Sequence, residues 1–352
     1  MHQKIIDRLQ RAVQERVFPG CVLGIVNTQG ERHILPVGHL TYESDAPLVT
    51  ENTLYDLASV TKAIPGSSSL LKLIDEGRLG LEDRLFEYVP EFGNSDDKKE
   101  VRIKHILTYT LDLDVPSMSS IKDKKPEDIF EIIVKAPLKS VPSERHSYTN
   151  STALFISLIV ERITGKSIDV FADENFFVPL GMTRTTFFPE TFPREEIAPS
   201  EIDEWRGRVV QGEVHDESTF TLRNKYMPVI SGLFSTAPDI TNFLEMLLHK
   251  GVQDGKRYFS EKIVEAMHTN QLQGMEYRTG LGWELKWGKT IEENSNNSTF
   301  SKSGFTGTLV VTDSRRGIAF TLLSNRTYPK RSDETVTGIN EVRKDIANII
   351  FD

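Results

Sequence analysis

Hydrophobic residues follow strand spacing near both ends of the chain and helix spacing through the middle. Near the start, Lys4–Gln14 alternates apolar and charged residues with the period of an amphipathic helix. The unbroken apolar run Cys21-Val22-Leu23-Gly24-Ile25-Val26 then predicts a strand over Cys21–Asn27, with a second over Glu31–Val37. Toward the other end, Gly282–Trp287, Thr299–Lys302, Leu309–Asp313 and Ile318–Ser324 read as strands. The turn Ser314-Arg315-Arg316-Gly317 joins the last two as a hairpin, and a closing helix is predicted over Glu341–Ile350. Between these ends, Ile129–Val134, Ala153–Thr164 and Ile240–Leu248 are helical.

The simplest assembly is an α/β chain of the α+β type. Both ends share one antiparallel sheet flanked by helices, and a mainly helical domain is inserted between them. The expected division is residues 1–85 with 275–352 for the sheet domain and 86–274 for the insertion. A cleft is expected at their boundary. The charged, proline-containing stretch Pro189–Gln211 is expected to form a surface excursion, placed over that cleft.

Chemistry concentrates in three short strings: Ser59-Val60-Thr61-Lys62, Tyr148-Thr149-Asn150 and Lys302-Ser303-Gly304. A serine hydroxyl attacks a carbonyl only when a nearby base removes its proton. Ser59 and Lys62 are three apart, so a helical turn places both on one face. Leu70, Leu71, Leu73 and Ile74 continue the helical spacing and Gly77 supplies a stop, which puts Ser59 at a helix N-terminus. Pro65-Gly66 interrupts this helix, and a kink is expected there.

A lysine base must shed its proton, which burial and a second cation both favour. Lys302 is the candidate second cation, and Tyr148 is the candidate to share or relay the proton. Lys62 and Tyr148 both stand as candidate bases, alone or as a coupled unit. Taken singly, each string has a plain structural reading: a helix cap, a buried tyrosine before a cap, a strand or turn. Their combination and order point instead to covalent acyl transfer.

With these strings in that order, the chain resembles the serine beta-lactamase and penicillin-binding protein superfamily, whose signatures include S-x-x-K and K-T-G. Tyr148-Thr149-Asn150 resembles the Y-x-N element of the class C branch, which also includes related esterases. Further blocks extend the resemblance from about Pro19 to Arg326: Leu57-Ala58, Pro179-Leu180-Gly181-Met182, Val214-His215-Asp216-Glu217, Ser231–Thr236, Gly280-Leu281-Gly282-Trp283 and Gly304–Thr308.

The resemblance implies a beta-lactamase/transpeptidase-like fold and a reaction through an acyl-serine. Ser59 is then the nucleophile, Lys62 its activating neighbour and Tyr148 the acid/base residue. Asn150, Lys302, Ser303 and Gly304 bind substrate, with Lys302 and Ser303 on its carboxylate. The backbone N–H groups of Ser59 and Phe305 form the oxyanion hole. Two places bear on substrate. Many relatives carry H-T-S-G where this chain reads Ile106-Leu107-Thr108-Tyr109-Thr110-Leu111-Asp112, and many esterase-like members carry histidine where this chain has Lys302. The lysine favours a substrate bearing a carboxylate.

Composition narrows the partners. The 352 residues carry a formal net charge of -9, which argues against nucleic acid or an anionic membrane as a partner surface. The expected partner is a small ester, D-peptide or beta-lactam. No cofactor and no metal is expected. His215 beside Asp216 and Glu217 suggests a metal site, yet no second histidine sits at ligand spacing, so a loop-fixing network is the expectation. His105 and His146 read as structural, with His146 placed to influence Tyr148 two residues on.

The single cysteine, Cys21, excludes an internal disulfide and reads as buried. Neither a signal-peptide core nor an apolar run of about 18 residues is present, so a soluble cytoplasmic protein is expected. An exported form trimmed of its leader fits the same sequence. That location favours an esterase or peptidase with weak beta-lactam reactivity. The alternatives are a non-catalytic regulatory module of the same fold and, further off, a metal-dependent hydrolase centred on His215.

Overall fold

The computed structural model describes residues 1–285 and 296–352. Six antiparallel strands form the main sheet: β1 (Gly20–Asn27), β2 (Arg32–Gly38), β3 (Glu284–Leu285), β4 (Thr299–Ser303), β5 (Leu309–Asp313) and β6 (Ile318–Ser324), in the order β2-β1-β6-β5-β4-β3. N-terminal β1 thus pairs with C-terminal β6, Cys21 opposite Ser324 and Asn27 opposite Ile318. The expected strand over Gly282–Trp287 is seen only at Glu284–Leu285, and Trp287 lies outside the described residues.

Strand alternation gives the sheet two apolar faces. Leu23, Leu309, Val311, Phe320 and Leu322 face α1 (His2–Gln14) and the C-terminal helix Asp333–Phe351, burying Ile5, Leu9, Ile339, Val342 and Ile346. Each such aliphatic side chain contributes about 1.5–3 kcal/mol. Val22, Phe300, Val310 and Leu323 face the larger cluster, which includes the helices α2 (Ser68–Asp75), α3 (Ala153–Thr164) and α4 (Ala237–Leu248). Helix α4 packs directly on β1, β5 and β6. We propose the division into a sheet part and a helical part with α4 counted on the sheet side.

The C-terminal helix, α5, begins at Asp333 rather than Glu341. Ser332 caps it, its hydroxyl accepting from the Thr335 N–H at 3.2 Å. Gly338 weakens the local helical signal, and packing with β1, β5 and β6 restores it.

Between Ser59 and α2 the helix is irregular, as Pro65-Gly66 foretold. Ala58–Lys62 is a tight 3-10 turn, Ala63–Ser67 a wide turn with Ile64 at φ -118° and ψ 107°, and the α-helix proper starts at Ser68. The helical N-terminus expected at Ser59 is therefore a 3-10 turn, not the first turn of α2. Pro189–Gln211 is tied to the body and is not a loose excursion. Asn325 Nδ2 donates to Pro199 O at 2.9 Å, and Thr327 Oγ1 donates to Ser200 O at 2.7 Å.

Candidate active site

Ser59 follows a backbone that the rest of the fold forces into shape. Ala58 sits at φ +47°, a left-handed conformation that costs a non-glycine residue about 1–2 kcal/mol. Buried Asp56 holds it there. Its Oδ1 accepts the Ala58 N–H at 2.8 Å, and its Oδ2 accepts the His215 N–H at 2.8 Å. Burial pushes the Asp56 carboxyl above its ordinary range, despite those bonds and the His215 ring.

The turn after β4 grips the same segment. Thr306 Oγ1 donates to Asp56 O at 2.7 Å, and Thr308 Oγ1 donates to Leu57 O at 2.9 Å. Gly304 makes that approach possible: a Cβ there would lie 2.4 Å from Leu57 O and 2.1 Å from Thr308 Oγ1.

Lys62 is buried beside the half-buried Ser59. Its Nζ donates to Ser59 Oγ at 3.0 Å and to Ile230 O at 2.7 Å. The i,i+3 spacing produces this contact, although the turn is 3-10 and not α. Ile230 O was invisible to sequence reasoning because backbone acceptors carry no residue signature.

Tyr148 stands between the two lysines. Its ring centroid lies 5.4 Å from Lys62 Nζ and 4.6 Å from Lys302 Nζ. The residue is 43% exposed. Asn150 lies just before α3, its carbonyl accepting the Ala153 N–H at 3.2 Å. Ser303 ends β4, half-buried and opposite Leu309. The three strings therefore meet at one place.

Lys302 is not presented as a free ammonium. It shares the face of Phe300 on β4, and its side chain is 0% exposed. Nζ donates to Glu284 Oε1 at 2.6 Å and to the Tyr109 hydroxyl at 3.0 Å, with the Tyr109 ring centroid 4.4 Å away. Burial opposes the charge, but Glu284 and the Tyr109 and Tyr148 hydroxyls outweigh it and hold the ammonium above the ordinary lysine range. In this arrangement Lys302 Nζ is already engaged by Glu284 and the Tyr109 hydroxyl, partners with which a substrate carboxylate would compete.

Sequence reasoning missed Tyr109 and Glu284. Tyr109 lies in the stretch already marked as departing from H-T-S-G, and it sits at φ +55° with its hydroxyl 3.2 Å from Gly282 O. Glu284 follows the Gly282-Trp283 block and pairs with Ser301, one residue before Lys302. His146 and Tyr148 both pack on the Tyr109 ring, at 6.0 and 5.4 Å, and burial lowers the His146 pKa. His105 accepts the Arg102 N–H at 3.0 Å, and burial drives it down to about 4.

His215 packs on the Phe305 ring, with centroids 5.6 Å apart. Its Nε2 lies 3.2 Å from Glu201 Oε1, within ion-pair range but out of line for a good hydrogen bond. Glu201 is also held by Arg331 at 2.6 and 2.7 Å. Burial works against its charge, yet His215 and Arg331 together bring it down to about 2. Among the described residues no cluster of histidine, cysteine or carboxylate groups is arranged to hold a metal. Cys21 is buried, which raises its thiol pKa.

Phe305 lies at the first corner of the turn Gly304–Gly307, closed by Gly307 N–H to Gly304 O at 3.1 Å. Gly307 adopts φ +108°, open only to glycine without strain. Among the described residues no acceptor takes the Phe305 N–H.

A serine and a buried lysine in contact, beside a strand edge and an uncommitted N–H, on a helix-flanked antiparallel sheet, define a fold shared with known proteins. The chain belongs to the Beta-lactamase family, which it matches over residues 5–343. It is 28% identical over 313 residues to a protein of Escherichia coli (strain K12) named "Putative D-alanyl-D-alanine carboxypeptidase", covering 81% of this chain and 71% of that protein. Among solved structures it resembles the octameric penicillin-binding protein homologue from Pyrococcus abyssi, with a TM-score of 0.75 at 20% identity over 99% of this chain and 77% of the other. It also resembles EstCE1, a hydrolase with promiscuous acyltransferase activity, with a TM-score of 0.75 at 18% identity over 97% and 98% of the two chains. These structural likenesses establish the beta-lactamase/transpeptidase fold. No helix among the described residues is long and apolar enough to cross a membrane.

Proposed function

We propose that the protein is a serine hydrolase that passes through an acyl-Ser59 intermediate on an ester, amide or beta-lactam carbonyl. The observation that carries this reading is the 3.0 Å contact between Lys62 Nζ and Ser59 Oγ at a turn strained at Ala58. Ser59 Oγ attacks the carbonyl carbon while its proton passes to Lys62 or Tyr148. The negative charge that develops on the carbonyl oxygen is met by the backbone N–H groups of Ser59 and Phe305. The proton then goes to the leaving alcohol or amine, and water attacks the acyl-serine to regenerate Ser59. Asn150 and Ser303 border the substrate.

The committed state of Lys302 supports esters and neutral amides ahead of peptides with a free carboxylate. The name of the Escherichia coli relative makes D-alanyl-D-alanine peptides the comparison substrate. Intact-mass spectrometry after mixing with p-nitrophenyl butyrate, benzylpenicillin or a D-alanyl-D-alanine peptide tests the reading, with Ser59→Ala alongside. An acyl adduct or turnover that vanishes in Ser59→Ala is expected. Hydrolysis that survives Ser59→Ala refutes it, and ligand binding with neither adduct nor turnover assigns a non-catalytic module.

A further inference from the structure

Arg343 lies on α5, far along the chain from the three strings, and is buried behind the turn that carries Phe305. Its Nη2 donates to Gly304 O at 2.9 Å and to Thr308 O at 2.8 Å. Those two carbonyls lie at the end of β4 and just before β5, where Gly304 N–H already donates to Thr308 O at 2.8 Å. One guanidinium thus clamps both ends of the turn. Asn340, one turn earlier on α5, accepts from Arg343 Nη1 at 3.2 Å and steadies the group.

The Gly304 carbonyl and the Phe305 N–H belong to the same peptide unit. A trans peptide is planar, and its C=O and N–H point in opposite directions. Fixing the carbonyl on Arg343 therefore aims the N–H away from α5. A flip of that peptide would turn its N–H toward a buried guanidinium and deprive the guanidinium of an acceptor, which burial makes costly. Thr306 and Thr308 side chains hold other groups, Asp56 O and Leu57 O, while the Gly307 N–H, 3.1 Å from the Gly304 carbonyl, is a second restraint on the carbonyl that Arg343 holds.

We propose that Arg343 is a positioning residue for acyl transfer, which locks the Gly304–Phe305 peptide so that the Phe305 N–H is held ready for the oxyanion. This rests on the acyl-Ser59 reading above. Arg343 acts through the peptide it holds, although its charge also lies near Glu284 and Arg326. The C-terminal helix is thereby part of the catalytic apparatus as well as part of the core.

The test compares wild type with Arg343→Met and Arg343→Lys, on p-nitrophenyl butyrate hydrolysis and on binding of phenylboronic acid. Boron bonds to Ser59 Oγ as the hydroxyl proton leaves, so the tetrahedral adduct places a boronate oxygen where the oxyanion forms. Rates are normalised to sites titrated to completion with a fluorophosphonate, which removes any loss of folded protein. Loss of a single oxyanion donor costs about 100- to 1000-fold, and a donor left present but unaimed costs less. We expect kcat per titrated site to fall about 10- to 100-fold in Arg343→Met with KM changed less than about 3-fold. Boronate affinity falls in parallel. Arg343→Lys, with a cation able to reach one carbonyl, falls between the two.

Wild-type kcat and wild-type boronate affinity per titrated site, in whichever variant folds, overturn the proposal and leave Arg343 a core residue. Should Arg343→Met yield no titratable sites, Arg343→Lys decides by the same two readouts. Failure of the underlying reading is seen separately, as hydrolysis that persists in Ser59→Ala.

Discussion

Replacing Glu284 with glutamine removes the counter-charge of a fully buried ammonium while keeping the shape of the side chain. Breaking a buried ion pair from one side costs about 3–5 kcal/mol. Lys302 keeps the Tyr109 hydroxyl at 3.0 Å and the faces of Tyr109 and Tyr148 at 4.4 and 4.6 Å, and the new amide oxygen still accepts. The Tyr109 bond and both ring contacts are present in wild type and cancel, and the amide's hydrogen bond returns about 1 kcal/mol, so the expected net loss is about 2–4 kcal/mol. The loss depends on pH with a definite sign. Lys302 is held above the ordinary lysine range, so its contribution is complete below a pH of about 10.4 and fades only as pH rises through the higher folded-state value. In Glu284→Gln, burial dominates and lowers that value. The stability gap is therefore widest below the variant's lowered value, narrows as pH rises through it, and narrows further above about pH 10.4. Urea unfolding of both proteins at pH 7.5 and pH 11 measures it. A gap under about 0.5 kcal/mol at pH 7.5, or one that does not narrow with alkali, would show that Glu284 does not hold the Lys302 charge.

The remaining expectations concern the two sides of the site. Gly304→Ala sets a Cβ 2.4 Å from Leu57 O, a backbone atom that cannot rotate away; denaturant curves should show a loss of about 1–3 kcal/mol, and kcat/KM on an ester should fall about 100-fold as Ser59 and Phe305 are forced apart. Unchanged ester hydrolysis would sink the placement of that strand edge. Tyr148→Phe should lower kcat about 100-fold or more while leaving KM within a few-fold, since it removes only a proton carrier; steady-state kinetics at saturating ester decide, and an unchanged kcat assigns the proton step to Lys62 alone. Glu201, brought down to about 2 by His215 and Arg331 against its burial, contributes stability that is present above about pH 4.3 and lost as pH falls through 2. Glu201→Gln should therefore unfold about 2 kcal/mol more easily at pH 7 and match wild type near pH 2, as followed by acid-dependent urea melts.

Much of the site was legible because its chemistry is local. Ser59 and Lys62 belong to one turn, and an i,i+3 pair meets whether that turn is α or 3-10. The order of the three strings and the blocks around them carried the family, and the family match over residues 5–343 supports it. The apolar runs of β1, β5 and β6 were readable because both faces of those strands are covered, so each reads as nearly continuous hydrophobic sequence. The start of α5 was missed because Gly338 and the threonines around it lower local propensity, and burial of Ile339 and Val342 compensates from a distance.

By itself, then, the amino-acid order determined the sheet strands, the helical middle, the kink at Pro65-Gly66 and the identity of the nucleophile candidate, since each depends on residues within a turn or two. Tertiary structure alone decided what surrounds the charges. Lys302 looked like a cation offered to a substrate, and the fold instead closes it against Glu284 and Tyr109, which lie 18 and 193 positions away along the chain. Ile230 O on Lys62 and Arg343 on the Gly304 carbonyl are likewise long-range partners. Backbone carbonyls and buried counter-ions leave no local pattern, and electrostatic free energy is set by distance in space rather than by separation along the chain.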